Sequence, residues 1–224
     1  MNAFLLVKKS FLILTIFILL QSVLMAQTTV KDIDNNIYHT KTIGAQVWMV
    51  ENLKTTHYRD GTAIPIVTSD GDWGDLKTDA YCDYENKPSN SSVYGKLYNW
   101  YAVTNSLNVC PVGWHVPADT EWTTLINYLG GESVAGGKLK EKGITHWLTP
   151  NTDATNETGF TALAGGNRSS AGAFFVIRNV GYWWSLNTTD ENSASFRSMG
   201  FDNSNVSANE IFKTGGLSIR CIKD

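Results

Sequence analysis

The sequence predicts an α+β fold, and three observations carry the prediction. One mid-chain segment has helical periodicity, and short runs of alternating polarity lie on both sides of it. The segments between them are loops rich in Gly, Asn, Ser, Thr and Asp. No fixed-period repeat and no linker divides the chain after its leader, so residues 28–224 read as one domain.

The leader comes first. Lys8 and Lys9 precede the apolar run FLILTIFILL, Phe11 to Leu20, and a short tail ends in small or polar residues. That order describes a secretory signal peptide over residues 1–27, cleaved after Ala26 or Gln27. Gln21 and Ser22 interrupt the run before it reaches the ~20 apolar residues a membrane span needs. The expectation is an exported protein, secreted or on the cell surface, with no membrane span once the leader is removed.

Next, NIYHTKTIGAQVWMVENLK alternates polar and apolar residues around Gly44-Ala45, which predicts two short strands joined by a turn. The stretch from Asp60 to Asp79, rich in glycine and aspartate, reads as loop. YGKLYNWYAV reads as a strand running into a short helix. In VCPVGWHVPADTEWTTLINYLGG, Trp122, Leu125, Ile126 and Leu129 mark one face of an amphipathic helix. Asp119 or Thr120 is its expected N-cap, and Gly130-Gly131 ends it. A second helical turn is expected in GGKLKEKGITHW, and from Asn151 onward the short alternating runs predict an antiparallel sheet with long loops.

Composition narrows the function. Removing the leader takes away Lys8 and Lys9 and moves the formal charge from -3 to -5. A mildly acidic chain of that kind has no basic patch for nucleic acid. Eight tryptophans, nine tyrosines and nine phenylalanines are many for this length, divided between core filling and loop positions where aromatics serve binding. Of three cysteines, Cys110 and Cys221 are the preferred disulfide. Closing a loop of about 110 residues stabilises by ~4–5 kcal/mol in the chain-entropy model. That leaves Cys82 spare, although spacing alone leaves the other pairings open.

The ordered motifs IGAQVWMVENLK, YGKLYNWYAV, CPVGWHVPADTEW, GGKLKE, TNETGFTALAGGNR, GYWWS and LSIRCIKD resemble the Fibrobacter succinogenes major paralogous domain, a family of exported bacterial proteins. The resemblance covers about Val30 to Asp224. It implies a C-type lectin-like fold related to that of formylglycine-generating enzymes, with two short helices, a small twisted antiparallel sheet and long binding loops. Terminal strands that lie together in such a fold suit a bridge from Cys221 to Cys110. Ala118, Ala164 and Asn167 depart from the family pattern.

The candidate sites follow. The related enzymes work through reactive cysteines, but Cys82 has no neighbouring base in the sequence, and a thiol without a lowered pKa is a poor nucleophile. His39, His57, His115 and His146 show no metal-ligand spacing, and His115 reads as a packed residue. An enzyme is therefore not expected. Asp70, Asp72 and Asp75 in DGDWGD offer an oxygen-rich loop for a structural calcium, with turn formation as the plainer reading. No other cofactor is expected. The strongest binding candidate is the run GYWWSLNTTDENSASFRSMGFDNSN. A strand there points Trp183 and Trp184 to opposite faces, one of them outward for stacking. Asn187, Asp190, Arg197 and Asn203 would add hydrogen bonds, while Arg168 and Arg220 read as buried arginines bonded to carboxylate or backbone. The reading is a non-catalytic module that binds a glycan or a surface protein through its C-terminal loops. A structural or adhesive surface subunit is the alternative, and a formylglycine-generating-like enzyme comes third. Nothing in the residues specifies an oligomeric state.

Overall fold

The structure, a computed structural model, describes residues 28–224. The expected signal peptide lies outside the described residues. The chain is mixed helix and sheet: a curled antiparallel sheet, smaller strand pairs and a few short helices.

The first sheet joins the two ends of the described chain. β1 (Thr29–Lys31), β2 (Ile37–Ile43) and β3 (Gln46–Met49) are followed in space by β12 (Ile222–Lys223) and β6 (Trp114–His115). The expected hairpin is there: Ile43 pairs with Gln46 across the two-residue turn Gly44-Ala45, and Gly44 has φ 61°. Tight hairpin turns need that positive φ, which glycine adopts without a Cβ clash. β12 pairs antiparallel with both β3 and β6, and the zip continues as Met49 and Leu53 N–H groups donate to Cys221 and Ile219 carbonyls. The Cys110–Cys221 disulfide pins the same region.

The second sheet has three antiparallel strands in the order β11-β10-β9: β9 (Val180–Thr188), β10 (Ser193–Gly200) and β11 (Ser207–Phe212). It confirms the antiparallel sheet expected after Asn151. Two small pairs complete the strands, β4 (Tyr81–Cys82) with β5 (Leu97–Tyr98), and β7 (Asn167–Arg168) with β8 (Phe174–Phe175).

Five helices are described: α1 (Asp70–Gly74), α2 (Pro88–Tyr94), α3 (Trp100–Val103), α4 (Asp119–Tyr128) and α5 (Glu132–Leu139). α4 buries the predicted face of Trp122, Leu125 and Ile126 and ends before Gly130 and Gly131, both at positive φ. Its N-cap is Ala118, not Asp119 or Thr120. Alanine has no acceptor, so only half of a capping box forms: the Glu121 carboxylate accepts the Ala118 N–H at 2.8 Å. Asp119 is drawn elsewhere, as described below. α5 starts and stops earlier than expected. Lys140 leaves helical geometry, and its buried Nζ donates to the Thr152, Gly200 and Asn203 carbonyls at 3.0, 2.9 and 2.6 Å. A Cβ on Gly136 would stand 2.3 Å from the Asn205 carbonyl, so that helix face has to be bare for the loop after β10 to pack.

Candidate functional site

The tryptophan pair was expected to supply a binding face, and the structure corrects that. Trp183 and Trp184 are both 0% exposed. They do point to opposite faces of β9, but each face is covered. Trp183 packs with Trp122 of α4, ring centroids 6.5 Å apart, and Trp184 with Trp100 of α3 at 5.3 Å. Their Nε1 groups donate to Asn52 Oδ1 at 2.8 Å and the Tyr98 carbonyl at 2.7 Å, which satisfies the only polar atom each indole buries. At Trp183 and Trp184 both faces of β9 are covered, and the strand is exposed only from Leu186 to Thr188.

The polar groups of the same run are engaged within the fold. Asn187 Oδ1 accepts the Asp119 N–H at 2.8 Å, so it serves the first turn of α4. Arg197 is buried and pairs with Asp119 at 2.9 Å, and the same carboxylate oxygen accepts the Ser185 hydroxyl. This explains why Asp119 does not cap its own helix: a buried guanidinium needs a counter-charge more than an exposed helix end needs an acceptor. Asp190 accepts the Asn192 and Ser193 N–H groups at 2.6 and 2.7 Å, bonds that hold its carboxyl below the usual carboxylate range and fix the β9–β10 turn. Asn203 accepts the Asn205 N–H at 2.9 Å and donates to Asp202.

The three aspartates of the calcium expectation do not converge. Ser69 accepts the Asp72 N–H and turns the expected loop into α1. Asp70 instead pairs with Arg168 at 2.9 Å, and Asp75 is the C-cap. Among the described residues no group of three or more His, Cys, Asp or Glu side chains is placed to hold a metal. Arg168 and Arg220 are buried, as read. Arg168 donates to the Val67, Thr68 and Gly172 carbonyls and stacks on Trp73 at 4.4 Å, and Arg220 donates to Asn52 and Phe160.

Cys82 is free and buried, and burial pushes its thiol up to about 12, against the pull of the nearby Arg168 charge. His115 is half-buried rather than packed: Nε2 lies 2.9 Å from Glu121 and Nδ1 2.6 Å from Asp224, so it clasps β6 to α4 and to the end of β12.

One of the depressions the fold leaves open lies beside the second sheet. A depression of about 310 Å³ is lined by Gly74, Lys77, Tyr101, Ser170, Asn192, Phe212, Lys213 and Thr214. Phe212 is 58% exposed. Its surroundings are built from residues already met. Asp190 sets the turn that carries Asn192, whose carbonyl accepts the Lys213 N–H, and the Lys213 ammonium donates to the Asp190 and Glu191 carbonyls. The Trp100 N–H donates to the Lys213 carbonyl, which sets Tyr101 beside Phe212. Arg168, through Asp70, holds α1 and hence Gly74. Aromatic surface beside two ammonium groups and several hydroxyl or amide groups can stack on an apolar face while hydrogen-bonding an oxygen-rich one. Of these residues only Asn192 belongs to the run singled out in the sequence. Lys77, Tyr101 and the adjacent Phe212-Lys213 come from three separate segments, and no local pattern unites them.

A family model described as the Fibrobacter succinogenes major domain matches residues 42–223. No curated protein and no solved structure matches the chain.

Proposed function

The chain belongs to the Fibrobacter succinogenes major domain family, and from that premise we propose that it is an exported, non-catalytic binding module of C-type lectin-like architecture. It recognises a glycan or a surface protein through loops of its C-terminal half. The observation that carries this reading is the open depression around Phe212 and Tyr101, framed by the β9–β10 turn and the segment after β11. Three of the groups singled out in the sequence are engaged within the fold: Cys82 is buried, Arg168 and Arg220 are buried and hydrogen-bonded, and His115 has both ring nitrogens engaged. A hydrolase or transferase needs a nucleophile or base free to meet substrate, and none of these is. The signal peptide expected over residues 1–27 supports export, and no helix among the described residues is long and apolar enough to cross a membrane.

The test is binding of the exported chain to arrays of polysaccharides and bacterial surface proteins, with Phe212→Ala and Tyr101→Ala variants that keep the wild-type circular dichroism. The expected result is a ligand retained by the wild type and weakened about tenfold or more in Phe212→Ala, the usual size of an aromatic anchor's contribution. A ligand bound equally by both variants removes this site. Self-association with no ligand at all shifts the reading to a structural or adhesive subunit.

A further inference from the structure

We propose that the outer edge of β11 accepts an extended peptide as an added strand. This rests on the binding-module reading and narrows its partner to a protein segment. Four observations carry it.

The first is hydrogen-bond parity. The Lys213 N–H donates to the Asn192 carbonyl, and with the β10–β11 register of Ile211 on Ala194 and Asn209 on Phe196, these odd-numbered residues of β11 bond to β10. Ala208, Glu210 and Phe212 therefore turn their N–H and C=O groups away from β10. The parity agrees on the far side of β10, where the Thr189 N–H reaches the Ser193 carbonyl. Of these outward groups only the Phe212 carbonyl has a partner among the described residues, the Gly215 N–H at 2.7 Å.

The second is that the edge is unguarded. β11 is the terminal strand of its sheet, and the four residues from Ser207 to Glu210 are exposed. Free edges are normally blunted by proline, lysine or a bulge, and along β11 the only charge is Glu210.

The third is shape. A depression of about 450 Å³ runs beside the first half of β11, from Asn205 to Asn209, and its opposite wall is Glu132 and Ser133 at the start of α5. A walled groove admits one slim chain. A second copy of this protein, pairing edge to edge, would bring its own α5 wall into the same space.

The fourth is charge. Glu132 lies beside the start of the strand, Glu210 past its midpoint, and Lys77 and Lys213 at its end beside Phe212. Five residues of strand span about 17 Å. A peptide antiparallel to β11 would thus carry an acidic residue opposite Lys213, then a basic one three positions later opposite Glu210 or about five later beside Glu132, with an apolar side chain near Phe212. Backbone pairing would supply affinity, and the two charged ends would set direction.

The probe is a displayed library of random linear twelve-residue peptides selected on the exported chain, followed by hydrogen exchange with the best synthetic peptide. The expected outcome is enrichment of the acidic-then-basic spacing and at least tenfold slower exchange at Ala208 and Glu210. Ala208→Pro deletes an outward N–H without touching the β10 ladder, and should weaken the peptide about tenfold with unchanged circular dichroism. Should that variant misfold, Glu210→Lys is expected to shift enrichment away from basic residues, and the wild-type exchange data stand regardless. Enriched peptides that leave the β11 amides unprotected overturn the inference. So does protection that grows with protein concentration and no peptide, which makes the edge a self-interface. Glycan binding at Phe212 with no peptide enriched overturns the inference and keeps the module reading. No ligand of either kind overturns both.

Discussion

Replacing Trp183 with alanine tests whether the tryptophan pair is core or ligand surface. The indole is wholly buried among Trp48, Trp122, Trp147 and Phe160. Truncating a buried tryptophan to alanine destabilises by about 3–5 kcal/mol through lost transfer energy and the cavity left behind. The hydrogen bond to Asn52 adds little. Asn52 Oδ1 keeps the Arg220 Nε and Nη2 donors at 3.0 and 2.6 Å, so no acceptor is orphaned. The cavity term wins, and about 4 kcal/mol is expected from a total stability on the order of 5–15 kcal/mol. Trp184→Ala should behave alike, because the Tyr98 carbonyl keeps the Leu217 N–H when the indole is gone. Phe212→Ala, at an exposed position, should change stability by no more than about 0.5 kcal/mol. Urea unfolding followed by far-ultraviolet circular dichroism, with the disulfide intact, measures all three. A Trp183→Ala loss below about 1 kcal/mol at unchanged m-value would mean that the indole faces solvent and that the core assignment is wrong.

Three further outcomes follow from the buried groups. Converting both Cys110 and Cys221 to alanine opens a crosslink between residues separated by 111 in sequence, with an expected loss of about 5 kcal/mol in equilibrium unfolding; a loss under about 1 kcal/mol would show that the zip of β12 between β3 and β6 suffices. Cys82 should resist iodoacetamide in the native protein and react on unfolding, since burial pushes its thiol up to about 12; native labelling at the rate of a free thiol would contradict its placement. Burial opposes protonation of His115, but hydrogen bonds to Asp224 and Glu121, with their charges, outweigh it and raise its pKa. The stabilisation is therefore fully present below the unfolded value of about 6.5 and is lost as pH rises through the raised folded value. His115→Gln should remove that decline from stability profiles taken between pH 6 and 9, and an unchanged profile would locate the pH dependence elsewhere.

The elements legible in the sequence are those whose cause is local. The β2–β3 hairpin follows from alternation around Gly44, α4 from the spacing of Trp122, Leu125 and Ile126, and its end from Gly130-Gly131. The failures share one cause, which is that the deciding partner is distant in sequence. Alternation sends Trp183 and Trp184 to opposite faces, but only Trp122 and Trp100, from other segments, decide that both faces are dry. The aspartates of DGDWGD supply oxygen, but Ser69 winds them into a helix and Arg168 claims Asp70 from 98 positions away. Asp119 was legible as a helix-start residue and not as the partner of Arg197, because that pairing depends on how β10 packs beside α4. Lys77, Tyr101 and the Phe212-Lys213 pair meet only in three dimensions.

The same buried groups explain where specificity resides. Long irregular loops present many backbone carbonyls that no ladder satisfies, and burying them unpaired is costly. This fold answers with buried cations that each gather several carbonyls: Arg168 takes Val67, Thr68 and Gly172, and Lys140 takes Thr152, Gly200 and Asn203. The tryptophans close the remaining volume on both sides of β9. The motifs that carry the family resemblance therefore encode scaffold: CPVGWHVPADTEW supplies the disulfide, the clasp and α4, GYWWS the double-sided core strand, and LSIRCIKD the closing strand. Of the residues lining the depression at Phe212, Tyr101 lies in such a motif, whereas Lys77, Asn192, Phe212 and Lys213 do not. Exchanging Lys77, Phe212 and Lys213 together should thus change what the protein binds while leaving its unfolding midpoint in place. Exchanging any residue of GYWWS should do the reverse.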